Sequence, residues 1–191
     1  MLKINMDKKL AHLESIRKKL RNLVILDLDN TCICAVELKD VKHVPFGSSF
    51  RSVKLENLYR IYERPGLQPF LDILFRDYDV AIWTAAGFEY AMFIIRHFIQ
   101  LKHANRPIQF VLWDTHCDYS TSNSNGKEQT KDLSLLPNMY KRYVLIDDNK
   151  DVLNQDHVLD SEDFDVMNPD AKDDTFFQKA PDLLKSYFES H

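Results

Sequence analysis

The sequence predicts an α/β fold: a parallel sheet with helices on both faces and a small β-insertion after the first strand. Three observations lead there. Short, mainly apolar runs recur at 23–28, 80–84, 108–113 and 143–147, as in strands buried on both faces. Helical patterns of apolar residues separate several of them, and strand–helix alternation implies a parallel sheet. The first and last runs end in paired acids, "LVILDLD" and "YVLIDD". Open parallel sheets bind ligands at that edge.

Composition narrows the class. A chain of 191 residues, 45% apolar, is expected to form one domain over 1–191 with a sizeable core. The net charge of −4 argues against a membrane surface or direct nucleic-acid binding, since both are strongly negative partners. No apolar run approaches the ~18 residues of a membrane span. The N-terminus lacks the apolar core of a secretory signal. Three cysteines, an odd number, suggest no disulfide framework and an intracellular setting, cytoplasm or nucleus.

Taken in order, 1–20 reads as a basic amphipathic helix over 6–20, with Leu10, Leu13 and Leu20 near one face. The first 21 residues hold seven Lys or Arg against two acids, so the net negative charge lies in the remainder. Such a charge run is usually a solvated face. A buried strand follows at 23–28. Residues 32–62 read as a β-hairpin-like insertion about a turn at 46–49. Pro65-Gly66 opens a helix with Leu67, Phe70, Leu71 and Leu74 on one side. The strand 80–84, an apolar helix 88–101 and the strand 108–113 come next. Residues 114–130, "DTHCDYSTSNSNGKEQT", read as a polar loop long enough to be functional or disordered. The last strand is 143–147, and the acidic stretch 160–174 reads as solvated surface. His97, Trp83 and Trp113 sit in apolar elements and read as packing residues.

The chemistry concentrates at the strand ends. Asp27 and Asp29 close the first strand, Thr84 the second, Asp147 and Asp148 the last, and Lys131 stands shortly before that last strand. Burying like charges together is costly unless a cation lies between them. Clustered carboxylate oxygens suit a hard divalent ion, here Mg²⁺. A carboxylate such as Asp27 can attack phosphorus to give an aspartyl-phosphate. A second acid, Asp29, can protonate the leaving alkoxide and then activate water. Thr84 and Lys131 would bind the phosphoryl oxygens, one by a hydrogen bond and one as a point charge. A zinc site at Cys32, Cys34, His116 and Cys117 is the weaker reading, because structural sites usually place two or more residues between paired cysteines.

In "DLDNT", "RPGLQPFL", "IWTAA", "KDLSLL" and "YVLIDDNKDV", the chain resembles the haloacid-dehalogenase superfamily. Within it, the resemblance is to phosphatases of the RNA polymerase II C-terminal domain (CTD), including the small CTD phosphatases. It covers about 21–185. It implies a Rossmann-like fold and Mg²⁺-dependent dephosphorylation of phosphoserine or phosphothreonine in a protein. By the resemblance Asp27 is the nucleophile and Asp29 the acid/base, while Thr84 and Lys131 bind phosphate. Asp27, Asp29 through its backbone carbonyl and Asp148 would hold the metal, with Asp147 and Asn149 beside them. Asn30 departs from the family, where Glu is commonest at that position. Two other functions fit the same fold: a phosphatase for a small metabolite or nucleic-acid end phosphate, and a non-catalytic binding module.

Overall fold

The computed structural model describes residues 21–101, 106–122, 126–136, 140, 142–148 and 155–190. The segment 1–20, expected to carry a basic helix, lies outside them.

Strand β1 (Leu23–Leu26) is fully buried along its length. Its alternate residues serve two cores, Val24 and Leu26 on one face and Leu23 and Ile25 on the other, which is why the run is continuously apolar. The chain then leaves the sheet. Strands β2 (Ile33–Glu37), β3 (Ser52–Leu55) and β4 (Tyr59–Glu63) pair antiparallel in the order β2-β4-β3. The insertion is thus a three-stranded sheet, one strand more than a hairpin.

Gly66 turns the chain at φ 80° into helix α1 (Leu67–Asp77). A Cβ there would strain the backbone and meet Phe177 at 3.4 Å. Helix α1 buries Leu67, Phe70, Leu71 and Leu74, the stripe read from the sequence. Strand β5 (Asp79–Trp83) follows, then α2 (Phe88–Ile94). The expected helix 88–101 changes character at Ile95–Ile99, a π-helical turn. Gln100 N–H donates to the Ile95 carbonyl at 2.7 Å, which closes the helix there.

After β6 (Ile108–Leu112) the polar stretch 114–130 forms a ribbon rather than an irregular loop. Strands β7 (Asp118–Ser122) and β8 (Gly126–Thr130) pair antiparallel in register from Asp118↔Thr130 to Ser122↔Gly126. Strand β9 (Tyr143–Asp147) matches its expected bounds. Two elements were not anticipated: β10 (Val158–Asp160) and the C-terminal helix α3 (Phe176–Ser190).

The central sheet has the order β10-β9-β1-β5-β6, all parallel. The chain winds outward from β1 to one side through β5 and β6, then returns to the other through β9 and β10. The carboxyl end of β1 is therefore the switch point, where a crevice opens. Helices α1, α2 and α3 share one core with Val24, Leu26, Val80 and Ile82. Among the described residues, Cys117, Leu133, Leu136 and Tyr140 cover the opposite face.

Arg64, 1% exposed, ties the insertion to the body. Its guanidinium donates to the carbonyls of Thr31, Ser161 and Glu162 at 2.8–3.2 Å and to Asp174 at 2.7 Å. Phe176 lies 4.8 Å beneath it. Removing this cation strands a carboxylate and three carbonyls. We expect Arg64→Met to lower unfolding free energy by about 3–5 kcal/mol in denaturant titrations. A loss under about 1 kcal/mol would show that the insertion is held by packing alone.

Candidate active site

The site grows from the end of β1. Asp27 N–H donates to the Ile146 carbonyl at 3.0 Å, extending the ladder one residue beyond the strand. The residue is 5% exposed. The chain then folds back: Cys32 and Ile33 N–H groups both donate to the Leu28 carbonyl. Asn30 takes φ 54° in that turn. Asn visits this left-handed region more readily than most residues, which gives a local physical reason for Asn at this position.

A cavity of about 140 Å³ lies beyond the strand ends, lined by Asp27, Asp29, Thr84, Ala85, Ala86, Lys131, Asp147 and Asp148. The structure thus brings together all six described residues singled out from the sequence; Asn149 lies outside the described residues. Lys131, just past β8, donates at 2.5 Å to Asp27 Oδ1 and at 2.5 Å to Asp147 Oδ2. Thr84 follows β5, and its hydroxyl accepts from Ala86 N–H at 3.1 Å. It therefore caps the strand end while also lining the cavity.

Two partners had no signal in the sequence. Thr31 donates its hydroxyl proton to Asp148 Oδ1 at 2.9 Å and accepts from the Asp148 N–H at 3.1 Å. Tyr90, on α2, donates to Asp29 Oδ1 at 2.6 Å. Both join residues far apart in sequence, so no local spacing could reveal them.

Four carboxylates face one ammonium. Burial pushes the Asp27 carboxyl well above the usual range; Lys131 opposes this, and the charges of Asp147 and Asp29 add to it. Burial raises Asp29 and Asp148 as well, against the hydrogen bonds from Tyr90 and Thr31 respectively. Burial disfavours the Lys131 ammonium, but Asp27 and Asp147 outweigh it and keep Lys131 protonated. Burial and the charge of Asp29 hold the Tyr90 phenol far up, so it remains a donor.

This surplus of negative charge fits a divalent cation. Asp27, Asp147 and Asp148 each offer an oxygen, and these atoms lie within 4.8 Å of one another. Oxygen donors of this kind suit Mg²⁺. Among the described residues no other group of three His, Cys, Asp or Glu side chains is close enough to share an ion. The zinc reading fails on placement. Cys32, Cys34 and Cys117 are buried in three different cores. His97 is half-buried with its Nδ1 2.8 Å from the Phe93 carbonyl, and Trp83 is fully buried, as expected of packing residues.

Known proteins share this fold and, in part, this sequence. The family model for NLI interacting factor-like phosphatases matches residues 22–190. The CTD phosphatase-like protein 355R of Invertebrate iridescent virus 3 is 35% identical over 190 residues, covering 92% of this chain and all of the relative. Its namesake in Invertebrate iridescent virus 6 is 34% identical, covering 86% and 97%. Among solved structures, Fcp1, an essential RNA polymerase II CTD phosphatase, aligns with a TM-score of 0.56 at 23% identity. It covers 94% of this chain and 53% of the Fcp1 chain. Fission yeast Fcp1-R271A bound to beryllium fluoride aligns at 0.51 and 20% identity, covering 95% of this chain and 54% of that one. The chain thus spans about half the length of these solved structures, whose likeness shows the fold.

The crowded carboxylates make a stability prediction for metal-free protein. A carboxyl raised on folding makes the folded state bind more protons than the unfolded one. Its contribution favours the fold at low pH and is lost as pH rises through the raised value. Metal-free Asp27→Asn should therefore melt above the metal-free parent. The gap should be small near the ordinary carboxyl value of about 3.9 and widen as pH increases. Scanning calorimetry across that range reads it; a gap independent of pH would mean Lys131 fully compensates Asp27.

Proposed function

The chain belongs to the NLI interacting factor-like phosphatases, and on that premise we propose that it is an Mg²⁺-dependent phosphomonoester hydrolase that acts through an aspartyl-phosphate on Asp27, with phosphoserine or phosphothreonine in a protein as substrate. The observation that carries this reading is the buried Asp27–Lys131–Asp147 bridge at the switch point, with Asp148 beside it.

In the first step a carboxylate oxygen of Asp27 attacks phosphorus and the ester P–O bond breaks. Asp29 gives its proton to the departing alkoxide. In the second step Asp29 takes a proton from water, whose oxygen attacks phosphorus. The bond from Asp27 to phosphorus breaks, and inorganic phosphate leaves. Lys131 and the Thr84 hydroxyl bind the phosphoryl oxygens. Asp147 holds the Lys131 ammonium in place. Asp27, Asp148 and the Asp29 carbonyl would hold Mg²⁺, which when bound neutralises the carboxylates and polarises the phosphoryl group.

A protein substrate is favoured by what surrounds the cavity. None of its lining residues comes from the insertion β2–β4, so the insertion does not cap it. Instead Leu55, Leu58 and Tyr59 of the insertion face Phe88, Tyr90 and Phe93 of α2 across an apolar groove of about 620 Å³. Leu58 and Phe88 are half exposed, at 57% and 49%. An apolar platform beside a phosphate site suits a peptide better than a nucleotide or sugar. A purely binding module would gain nothing from carboxylates that burial destabilises. An intracellular setting accords with three buried free cysteines, and no helix among the described residues is long and apolar enough to cross a membrane.

Asp27→Asn should abolish turnover of both an aryl phosphate and a phosphoserine peptide; substantial activity in a clean preparation refutes the covalent route. Exhaustive chelation should do the same, with recovery on adding Mg²⁺, and Asp148→Ala should weaken metal affinity in calorimetric titration. Asp29→Asn should slow attack on phosphoserine peptides by about 10²–10⁴-fold, and much less on aryl phosphates that leave unaided. A panel of phosphopeptides, nucleotides and sugar phosphates tests the substrate class. A clear preference for the small molecules would overturn the protein-substrate reading.

A further inference from the structure

Asp29 has two carboxyl oxygens, and only one is committed among the described contacts. Its Oδ1 accepts the Tyr90 hydroxyl proton at 2.6 Å. That donor is rigidly mounted. Tyr90 stands in the first turn of α2, where Ala91 N–H donates to the Gly87 carbonyl at 3.0 Å. Ala91 and Ile94 of the same helix are fully buried in the main core. The ring lines the apolar groove, whose wall also holds Tyr59 and Phe93. Asp29 is mounted less firmly. It follows the end of β1 by three residues, precedes the left-handed Asn30 and is only half-buried.

A group that must first give a proton to an alkoxide and then take one from water needs one oxygen aimed at the reaction, with its rotation stopped. A short charge-assisted bond to a phenol on a fixed helix does this. We propose that Tyr90 is a positioning residue that clamps Asp29 through Oδ1, so that Oδ2 alone is presented to the cavity for proton transfer. This rests on the acid/base role of Asp29 given above. The one hydrogen bond of Tyr90 among the described contacts goes to Asp29 and not to Thr84 or Lys131, and its ring in the groove wall is kept by a phenylalanine, so loss of the hydroxyl alone should act on the steps that depend on that proton.

The test is Tyr90→Phe, which keeps the packed ring and removes one oxygen. With a phosphoserine peptide, kcat should fall roughly tenfold, the worth of one good hydrogen bond, with KM unchanged. Rapid-quench formation of phospho-Asp27 from an aryl phosphate with a good leaving group should change by less than about twofold. In an Asp29→Asn background, adding Tyr90→Phe should have no further effect on the peptide, because the two residues act as one unit. Equal losses for both leaving groups, no loss for either, or additive losses in the double variant would overturn the inference. Asp29→Asn run alongside separates the failures. If it discriminates leaving groups and Tyr90→Phe does not, only the clamp is wrong. If Asp29→Asn itself is flat, the acid/base assignment and the clamp fall together.

Discussion

Taking the Lys131 ammonium out of water costs several kcal/mol, and the fold offsets that cost at one place, the 2.5 Å contacts to Asp27 and Asp147. The two acids come from neighbouring parallel strands, β1 and β9, whose register sets Leu26 beside Ile146. Their carboxylates therefore emerge side by side. Lys131 arrives from the far end of the polar ribbon, on the face of the sheet that carries no α-helix among the described residues. Central sheet, ribbon and site are thus mutually dependent. The bridge leaves a net negative charge, which fits the site to a divalent cation.

The left-handed turn at Asn30 organises what the bridge does not. Phe164 N–H donates to the Asn30 carbonyl at 2.7 Å, and the Thr31 hydroxyl lies 3.1 Å from Ser161 Oγ. Arg64 gathers the carbonyls of Thr31, Ser161 and Glu162. The loop that follows Asp27 is therefore held by the C-terminal part of the chain, and Asp148 is oriented by Thr31 rather than by its own strand. The cavity's geometry thus depends also on residues that do not line it.

How much of this could be read from sequence follows from how local each signal is. The buried strands announced themselves because burial on both faces demands continuous apolar runs. Helix α1 was legible from Pro65-Gly66 and a clean apolar stripe. The six site residues were legible because each stands at or near a strand end, where chemistry-bearing side chains are conspicuous. Strand β10 was not, since Val158–Asp160 is only three residues and earns its identity by pairing with β9. Helix α3 hid behind Pro181, although Phe177, Ala180, Leu184 and Phe188 form its buried face. The ribbon β7–β8 is polar and so lacks the period-2 hydrophobicity by which half-buried strands are recognised. The contacts of Tyr90 and Thr31 exist only once the sheet has brought distant segments together.

The position of β1 at the middle of the sheet has a consequence for how the protein is made. Its Leu23 pairs with Asp79 on one side and with Tyr143 on the other, the second partner lying 120 residues downstream. At about 5–20 residues per second a ribosome needs roughly 6–24 s to supply that partner. Throughout that interval one edge of an apolar strand has no ladder to join, and parallel pairings of such long range form slowly. The nascent chain therefore passes through a stage in which "LVIL" is a template for association with other chains. Any cut or stop before residue 143 leaves that stage permanent, so the predicted fate of such fragments is aggregation rather than a smaller folded domain.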